Sequence, residues 1–375
     1  MVFFYCVLFF FSIVPIVVQY FVVFYFRKVE LKIKMKIANN FFLSAYQKKG
    51  EAGSVCCQIC PHNCLIHEGK NGICRTRINR GGTLYSIAYG NPCSISVDPI
   101  EKKPLFHFMP GEKIFSIATA GCNFRCLNCQ NWQISQSSPD KLSSYNFSPD
   151  EIVYQAVASH TKLIAFTYTE PTVFYEYMFD IAKIAHEKGL KTVMISNGFI
   201  NIQPLLDLIS YLNGANIDLK CFDEASYLKL TGGKLQPVLN TLKTLKEKNV
   251  WLEITNLLIP TFNDNPEQIK RMCKWLVDNG FADTPLHFSR FFPTYKLTEI
   301  APTSKDLLIL AKSIAEDTGM KFVYIGNMSH LNGENTSCPR CKNLLIKREG
   351  FLVMENQLSE NRCKFCGEVI PGVWN

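Results

Sequence analysis

Gly121-Cys122-Asn123-Phe124-Arg125-Cys126-Leu127-Asn128-Cys129-Gln130 places three thiols within eight residues, in a Cys-x3-Cys-x2-Cys spacing, directly after the apolar, strand-like run 114–120. A [4Fe–4S] cluster normally takes four thiolates. Three from the protein leave one iron with an open coordination position, by the logic that separates catalytic from structural zinc sites. The run therefore points to chemistry on a bound small molecule rather than to electron storage. Two readings compete with it: a zinc site completed by a distant fourth ligand, and buried thiols that pack as small apolar residues.

Outward from this loop, short apolar runs alternate with amphipathic ones. The pattern predicts strands over 114–119, 163–168, 191–196, 215–219, 251–256, 286–289 and 322–325. Between them it predicts helices over 149–160, 172–188, 203–212, 235–248, 266–279 and 305–318. Such repetition argues for parallel strands joined by crossover helices. Six or seven units suit an incomplete barrel, in which reactive groups gather at the C-terminal ends of strands. The three-cysteine loop follows the first strand, Glu170 the second, Asn197 the third and Lys220 the fourth. Residues chosen for their chemistry thus fall at one end of the expected barrel.

Two further cysteine groups flank it. Cys338-x2-Cys341-x21-Cys363-x2-Cys366 forms two knuckles around an expected hairpin with Gly350 at its turn, the spacing of a zinc ribbon. Cys57-x2-Cys60-x3-Cys64-x9-Cys74 suits either zinc or an auxiliary iron–sulfur cluster, since both accept four thiolates. Cys56 could replace Cys57 on spacing alone. Cys6, Cys93, Cys221 and Cys273 stand apart and read as packing residues.

Sixteen cysteines in 375 residues, grouped in pairs and triplets, favour metal ligation in a reducing compartment, which is an expectation of a cytoplasmic protein. The net charge is +8. Arg27, Lys28, Lys32, Lys34 and Lys36 against Glu30 supply +4 of it within residues 1–36, so charge gives nucleic-acid binding little support. Residues 2–26 carry no formal charge, enough length to span a bilayer, and the basic residues after them would keep the following chain on the cytoplasmic side. The competing reading is a region translated upstream of a start at Met35. The expected organisation is a hydrophobic segment over 1–35, a Cys-rich module over 36–113, the barrel over 114–330 and a zinc-ribbon-like module over 331–375.

The three-cysteine loop resembles that of the radical S-adenosylmethionine (SAM) enzymes. With Cys57-Gln58-Ile59-Cys60-Pro61-His62-Asn63-Cys64, Asp98-Pro99-Ile100-Glu101-Lys102-Lys103-Pro104-Leu105, Phe166-Thr167-Tyr168-Thr169-Glu170-Pro171-Thr172 and His287-Phe288-Ser289-Arg290-Phe291, the chain is similar to the AmmeMemoRadiSam-system branch, related to the pyruvate formate-lyase activating enzymes. The resemblance implies a partial TIM-like α/β barrel with a [4Fe–4S] cluster on Cys122, Cys126 and Cys129. It implies reductive cleavage of S-adenosylmethionine to a 5′-deoxyadenosyl radical that abstracts hydrogen from an unidentified substrate, a protein among the candidates. Glu170 would meet the methionyl ammonium, although the family's Gly-Gly-Glu is here Tyr168-Thr169-Glu170. Ser196-Asn197-Gly198 resembles the ribose-contacting turn, Lys220 the carboxylate contact and His287 a histidine near the cofactor. No catalytic residue beyond these is indicated.

Asn128 and Ile195 depart from the glycyl-radical activases, which carry an aromatic residue and an acid there. The implied partners are an electron donor such as flavodoxin or ferredoxin, with Memo-family and AMMECR-family proteins. Two other functions are weighed: a glycyl-radical activase, and a zinc-ribbon nucleic-acid-binding protein whose central cysteines are structural.

Overall fold

The computed structural model describes residues 41–328 and 333–375, so the hydrophobic segment read over 1–35 lies outside the described residues. The chain opens with short strands β1 (Phe42–Leu43), β2 (Gln47–Lys49), β3 (Val55–Cys57), β4 (Leu65–Ile66), β5 (Arg77–Arg80) and β6 (Thr83–Ser86), which pair as the sheets β1-β6-β5 and β2-β3-β4. Next come β7 (Pro92–Pro99), β8 (Lys113–Thr119), β9 (Leu163–Phe166), β10 (Lys191–Ser196), β11 (Gly214–Asp218), β12 (Trp251–Leu258), β13 (Leu286–Arg290) and β14 (Val323–Gly326), neighbours in that order in one sheet. Neighbours from β8 to β14 run parallel, and β7 pairs antiparallel with β8.

Every residue of β9 is buried, as expected for a parallel strand covered on both faces. The helices are α1 (Trp132–Ser135), α2 (Pro149–Ala158), α3 (Tyr175–Glu187), α4 (Ile202–Ile209), α5 (Glu224–Thr231), α6 (Leu235–Glu247), α7 (Pro266–Asp278) and α8 (Lys305–Thr318). Their starts are locally encoded. Ser148 and Glu151 form a reciprocal capping box before α2, while Asn265 caps α7 ahead of Pro266.

The parallel strands follow the sequence pattern, with two differences, and α1 and α5 are helices additional to those expected. The sheet acquires an eighth strand, β7, from the segment expected to belong wholly to the N-terminal module. Its burial pattern shows no clean alternation, because it is an edge strand. The second strand stops at Phe166 because Tyr168 takes a positive φ of 63°, which no strand residue adopts.

Residues 100–109 fill the concave side. Phe108 packs against Gly214 of β11 and shares a cluster with Ile114, Leu163, Ala165 and Val193, while His107 reaches Trp251 of β12 and Tyr324 of β14. One segment touching strands from β8 to β14 requires the sheet to curl around it. β7 and β14 remain unpaired to each other, so the curl does not close.

The C-terminal segment docks beneath this plug. β15 (Thr336–Ser337), β16 (Leu344–Glu349) and β17 (Leu352–Asn356) form one sheet, with Gly350 at the hairpin turn at φ 61°, and β18 (Leu358–Ser359) pairs with β19 (Arg362–Cys363). Arg348 Nη2 donates to Phe106 O at 2.7 Å, and Met109 N donates to Val373 O at 2.6 Å. Among the described residues no helix is long and apolar enough to cross a membrane.

Candidate active site

The loop after β8 is held from three sides. Gly121 sits at φ 98°, where a Cβ would lie 2.5 Å from Thr76 Cγ2 and 2.6 Å from Cys74 O, so only glycine fits there. The Phe124 ring lies over Gly233, whose Cβ would fall 2.1 Å from it. Arg125 N and Leu127 N donate to Thr231 O and Leu230 O at 2.8 and 3.0 Å, fixing the loop to the end of α5.

Within the loop, Phe124 N donates to Cys122 Sγ at 3.3 Å, and Cys129 Sγ shares a hydrogen bond with Ser135 at 3.1 Å. Burial pushes the Cys122 thiol up strongly and Cys126 to about 12. Such thiols surrender their protons only to a cation placed among them. Asn128 Oδ1, in the same loop, is buried without a protein partner. Three enclosed thiols and a spare acceptor fit a cluster and a ligand bound to it.

Glu170 is the hub of the strand ends. Its Oε1 accepts from Thr172 N, Thr172 Oγ1 and Ser196 Oγ at 3.0, 2.7 and 2.7 Å, and its Oε2 accepts from Asn197 N at 2.9 Å. Burial raises its pKa against these donors. Asn197 in turn gives Nδ2 to Asn123 Oδ1 at 2.8 Å and accepts from Phe199 N. Gly198 follows at φ 69°, where a Cβ would meet Ile217 at 2.9 Å. The structure therefore brings Glu170, Ser196 and Asn197 together against the loop, but commits their polar atoms largely to one another.

Lys220, two residues beyond β11, pairs with Asp218 at 2.8 Å and stays partly exposed. Burial pulls its pKa down, yet Asp218 and the neighbouring Cys126 and Cys129 outweigh burial and hold it above the ordinary lysine value. A fixed cation beside two of the loop thiols is suited to an anionic ligand group.

His287 is placed differently from the expectation. Its Nε2 bonds Glu253 Oε2 at 2.6 Å, and the same carboxylate accepts from Phe106 N and His107 N of the plug at 2.9 and 2.7 Å. Its ring stacks on Tyr324 and meets Phe106 edge-on. The buried ring is thus held in the network that ties the plug to the sheet, rather than joining the group around Glu170. There it joins Trp251 Nε1 and the plug amides in satisfying the buried carboxylate of Glu253 on the adjacent strand.

Two groups escaped the sequence reading. Asn123 lies inside the cysteine run, where only the thiols drew attention, yet it bonds Asn197, Phe199 O and, through its own carbonyl, His62 Nε2. Asp98 joins Lys102 and Lys103 at 2.8 and 2.7 Å and also bonds Tyr168 OH. Lys103 Nζ stands 4.2 Å over the Tyr168 ring, and Asn131 Nδ2 holds the Tyr168 carbonyl at 2.7 Å. The signal was the run of charges in 98–103 beside a strand end.

Among the described residues, the metal-ligating atoms that all lie within 4.8 Å of one another belong to Cys338, Cys341, Cys363 and Cys366. The Cys338–Cys366 and Cys341–Cys363 sulfurs are each 3.6 Å apart. A tetrahedral zinc with Zn–S of about 2.3 Å needs edges of roughly 3.8 Å. Hydrogen bonds from Asn343, led by its backbone, draw the Cys341 thiol down to about 6.

Residues 116–276 match the model of the radical SAM superfamily. The chain is 45% identical over 327 residues to the uncharacterized protein MJ0808 of Methanocaldococcus jannaschii, covering 87% of this chain and 97% of that one. It is 23% identical to the pyruvate formate-lyase 1-activating enzyme of Escherichia coli, over 54% of this chain and 89% of the relative. A crystal structure of a domain of pyruvate-formate lyase-activating enzyme from Bacteroides vulgatus superposes with a TM-score of 0.37 at 19% identity, over 44% of this chain and 98% of that one.

The chain belongs to the radical SAM superfamily. It is an enzyme that uses a [4Fe–4S] cluster to cleave S-adenosylmethionine, and enzymes of this kind generally take their electron from a reductant such as flavodoxin. The reading as a binding protein without chemistry is set aside.

Proposed function

We propose that Cys122, Cys126 and Cys129 hold the cluster, and that the residues around Lys220 and the Asn197 turn receive S-adenosylmethionine on it. When bound, the pair would supply a 5′-deoxyadenosyl radical that abstracts a hydrogen atom from an unidentified substrate, a protein among the candidates. The observation that carries this assignment is the Glu170 hub, which gathers the ends of β9 and β10 onto the cysteine loop.

In this reading Glu170 both positions its neighbours and binds the ligand. Its carboxylate fixes the Ser196-Asn197 turn, leaving one side of Oε2 for the methionyl ammonium. Lys220 offers its ammonium to the ligand's carboxylate, while Asn128 Oδ1 supplies an unused acceptor. The plug formed by 100–109 closes the other end of the barrel and excludes water. Cys338, Cys341, Cys363 and Cys366 hold zinc in a ribbon-like module that braces that plug.

The motifs in 57–64, 98–105 and 287–291 support membership of the AmmeMemoRadiSam branch, with Memo-family and AMMECR-family proteins as partners in a reducing, cytoplasmic setting. A second reading, activation of a glycyl-radical enzyme, draws support from the 23% identity to an activating enzyme.

The test is anaerobic reconstitution followed by dithionite reduction with S-adenosylmethionine. The wild type forms 5′-deoxyadenosine and Cys126→Ala forms none; equal product from both would overturn the assignment. A carbon-centred EPR signal on an added glycyl-radical partner would favour the second reading.

A further inference from the structure

The N-terminal cysteines lie against the active-site loop, and their arrangement differs from that of the C-terminal quartet. On β3, Cys57 is buried toward the core while Cys56 faces the other way and turns its thiol to Asn63 O, so the strand itself selects Cys57. Cys57 N bonds Cys64 O at 3.0 Å, Asn63 N closes a turn on Cys60 O, and a Cβ on Gly72 would lie 3.9 Å from Cys64 Cβ and 3.7 Å from Arg77 Cβ. Cys57 is buried in the main core and Cys60, Cys64 and Cys74, partly buried, pack against it within electrostatic range of one another, and none is in a disulfide.

Their sulfurs do not meet the 4.8 Å mutual spacing that the C-terminal quartet satisfies. Nor do Cys122, Cys126 and Cys129 form, among the described residues, a group gathered that closely. A single tetrahedral ion draws four sulfurs to one centre, whereas a cubane spreads them because each binds a different iron. A second observation points to an anionic guest. Arg77 is buried within electrostatic range of Cys57 and Cys74, and its Nη2 has no hydrogen-bond partner although Nη1 is paired with Glu176 at 2.5 Å.

We propose that Cys57, Cys60, Cys64 and Cys74 hold a second iron–sulfur cluster that passes an electron to the cluster on Cys122, Cys126 and Cys129. Two short routes join the sites. The Cys74 carbonyl packs on Gly121, next to Cys122, and His62, two residues after Cys60, donates Nε2–H to Asn123 O at 2.8 Å. One electron leaves a reductant of the flavodoxin or ferredoxin class, which is oxidised by one electron, and reduces the second cluster. Transfer onward restores that cluster and reduces the first by one electron, with no bond made or broken and no proton moved. The site assignment is independent of the proposed SAM chemistry; the relay rests on the reading of Cys122, Cys126 and Cys129 as cluster ligands.

The test is iron, sulfide and zinc analysis with EPR on the full chain after anaerobic reconstitution. Wild type is expected to carry about eight irons per chain, and Cys122→Ala/Cys126→Ala/Cys129→Ala to keep about four. Adding Cys57→Ala and Cys74→Ala removes the remainder, whereas Cys56→Ala changes nothing. A triple variant with no iron and a second zinc overturns the site. That result is separable from loss of 5′-deoxyadenosine formation in the wild type, which would instead overturn the SAM assignment. For the relay, the two EPR signals of reduced wild type are expected to show mutual spin broadening, a measurement that needs no variant. Reduction of the first cluster by flavodoxin should slow at least tenfold in Cys57→Ala/Cys74→Ala; absence of broadening or an unchanged rate overturns the relay.

Discussion

Asn123 Oδ1 accepts a 2.8 Å hydrogen bond from Asn197 Nδ2, so the loop that carries the three thiols is tied directly to the turn ending the third parallel strand. Asn123 Nδ2 also donates to Phe199 O at 2.9 Å. One amide thereby sets the height of the cysteines relative to the groups gathered by Glu170. Asn123→Ala leaves two buried partners unsatisfied and is expected to cost about 2 kcal/mol in urea unfolding. The same variant should lower the rate of 5′-deoxyadenosine formation more than it lowers iron content, since the thiols remain while their placement loosens.

Asp98 joins two lysines and Tyr168 inside the curl of the sheet. Burial alone would raise its pKa, but the bonds from Lys102, Lys103 and Tyr168 prevail and hold the carboxyl well below the usual carboxylate range. A depressed folded-state value means that its contribution is complete above the unfolded carboxylate pKa and is lost as pH falls toward the folded value. Burial draws Lys103 down to about 8. Asp98→Asn is expected to cost about 3 kcal/mol at neutral pH, because it leaves Lys103 buried and unpaired. The difference between variant and wild type should shrink in thermal melts taken at progressively lower pH below about 4; a constant difference would sink the pairing.

His287 serves Glu253 and the plug. His287→Gln is expected to lower stability by about 2 kcal/mol in denaturant unfolding. The folded fraction should cleave S-adenosylmethionine at a rate within roughly twofold of wild type, with KM unchanged on the same scale. A large rise in KM at unchanged stability would instead place the ring beside the cofactor.

Removing metal from the C-terminal quartet should act on the barrel floor as well. Cys338 and Cys363 share a buried cluster with Phe106 of the plug and with Tyr324 of β14, and Trp374 lies 5.2 Å from His107. A strong chelator is expected to extract about one zinc per chain. It should shift the fluorescence of wild type but have much less effect in Trp374→Phe.

The parallel core was legible because each strand is a short apolar run and each crossover helix has an apolar stripe, patterns set by local geometry. The loop cysteines were legible because their ligand spacing lies within ten residues. β7 was not placed, although Cys93, Ile95 and Val97 alternate with Ser94, Ser96 and Asp98, because alternation marks a strand without saying which sheet it will join. Asn123, Asp98 and Lys103 were not assigned roles, because an amide or a charge in sequence gives no sign of which distant strand will bury it.

By itself the sequence determined the order of the parallel strands and their main crossover helices, the three-thiol loop and the spacing of the two flanking quartets, all of which rest on patterns along the chain. Tertiary structure decided that His287 turns to Glu253, that Cys57 rather than Cys56 faces the other thiols, and that the N-terminal cysteines lie against Gly121. The physical reason is that periodicity fixes which face a residue occupies relative to its neighbours, while burial and hydrogen-bond satisfaction between segments distant along the chain fix what that face meets.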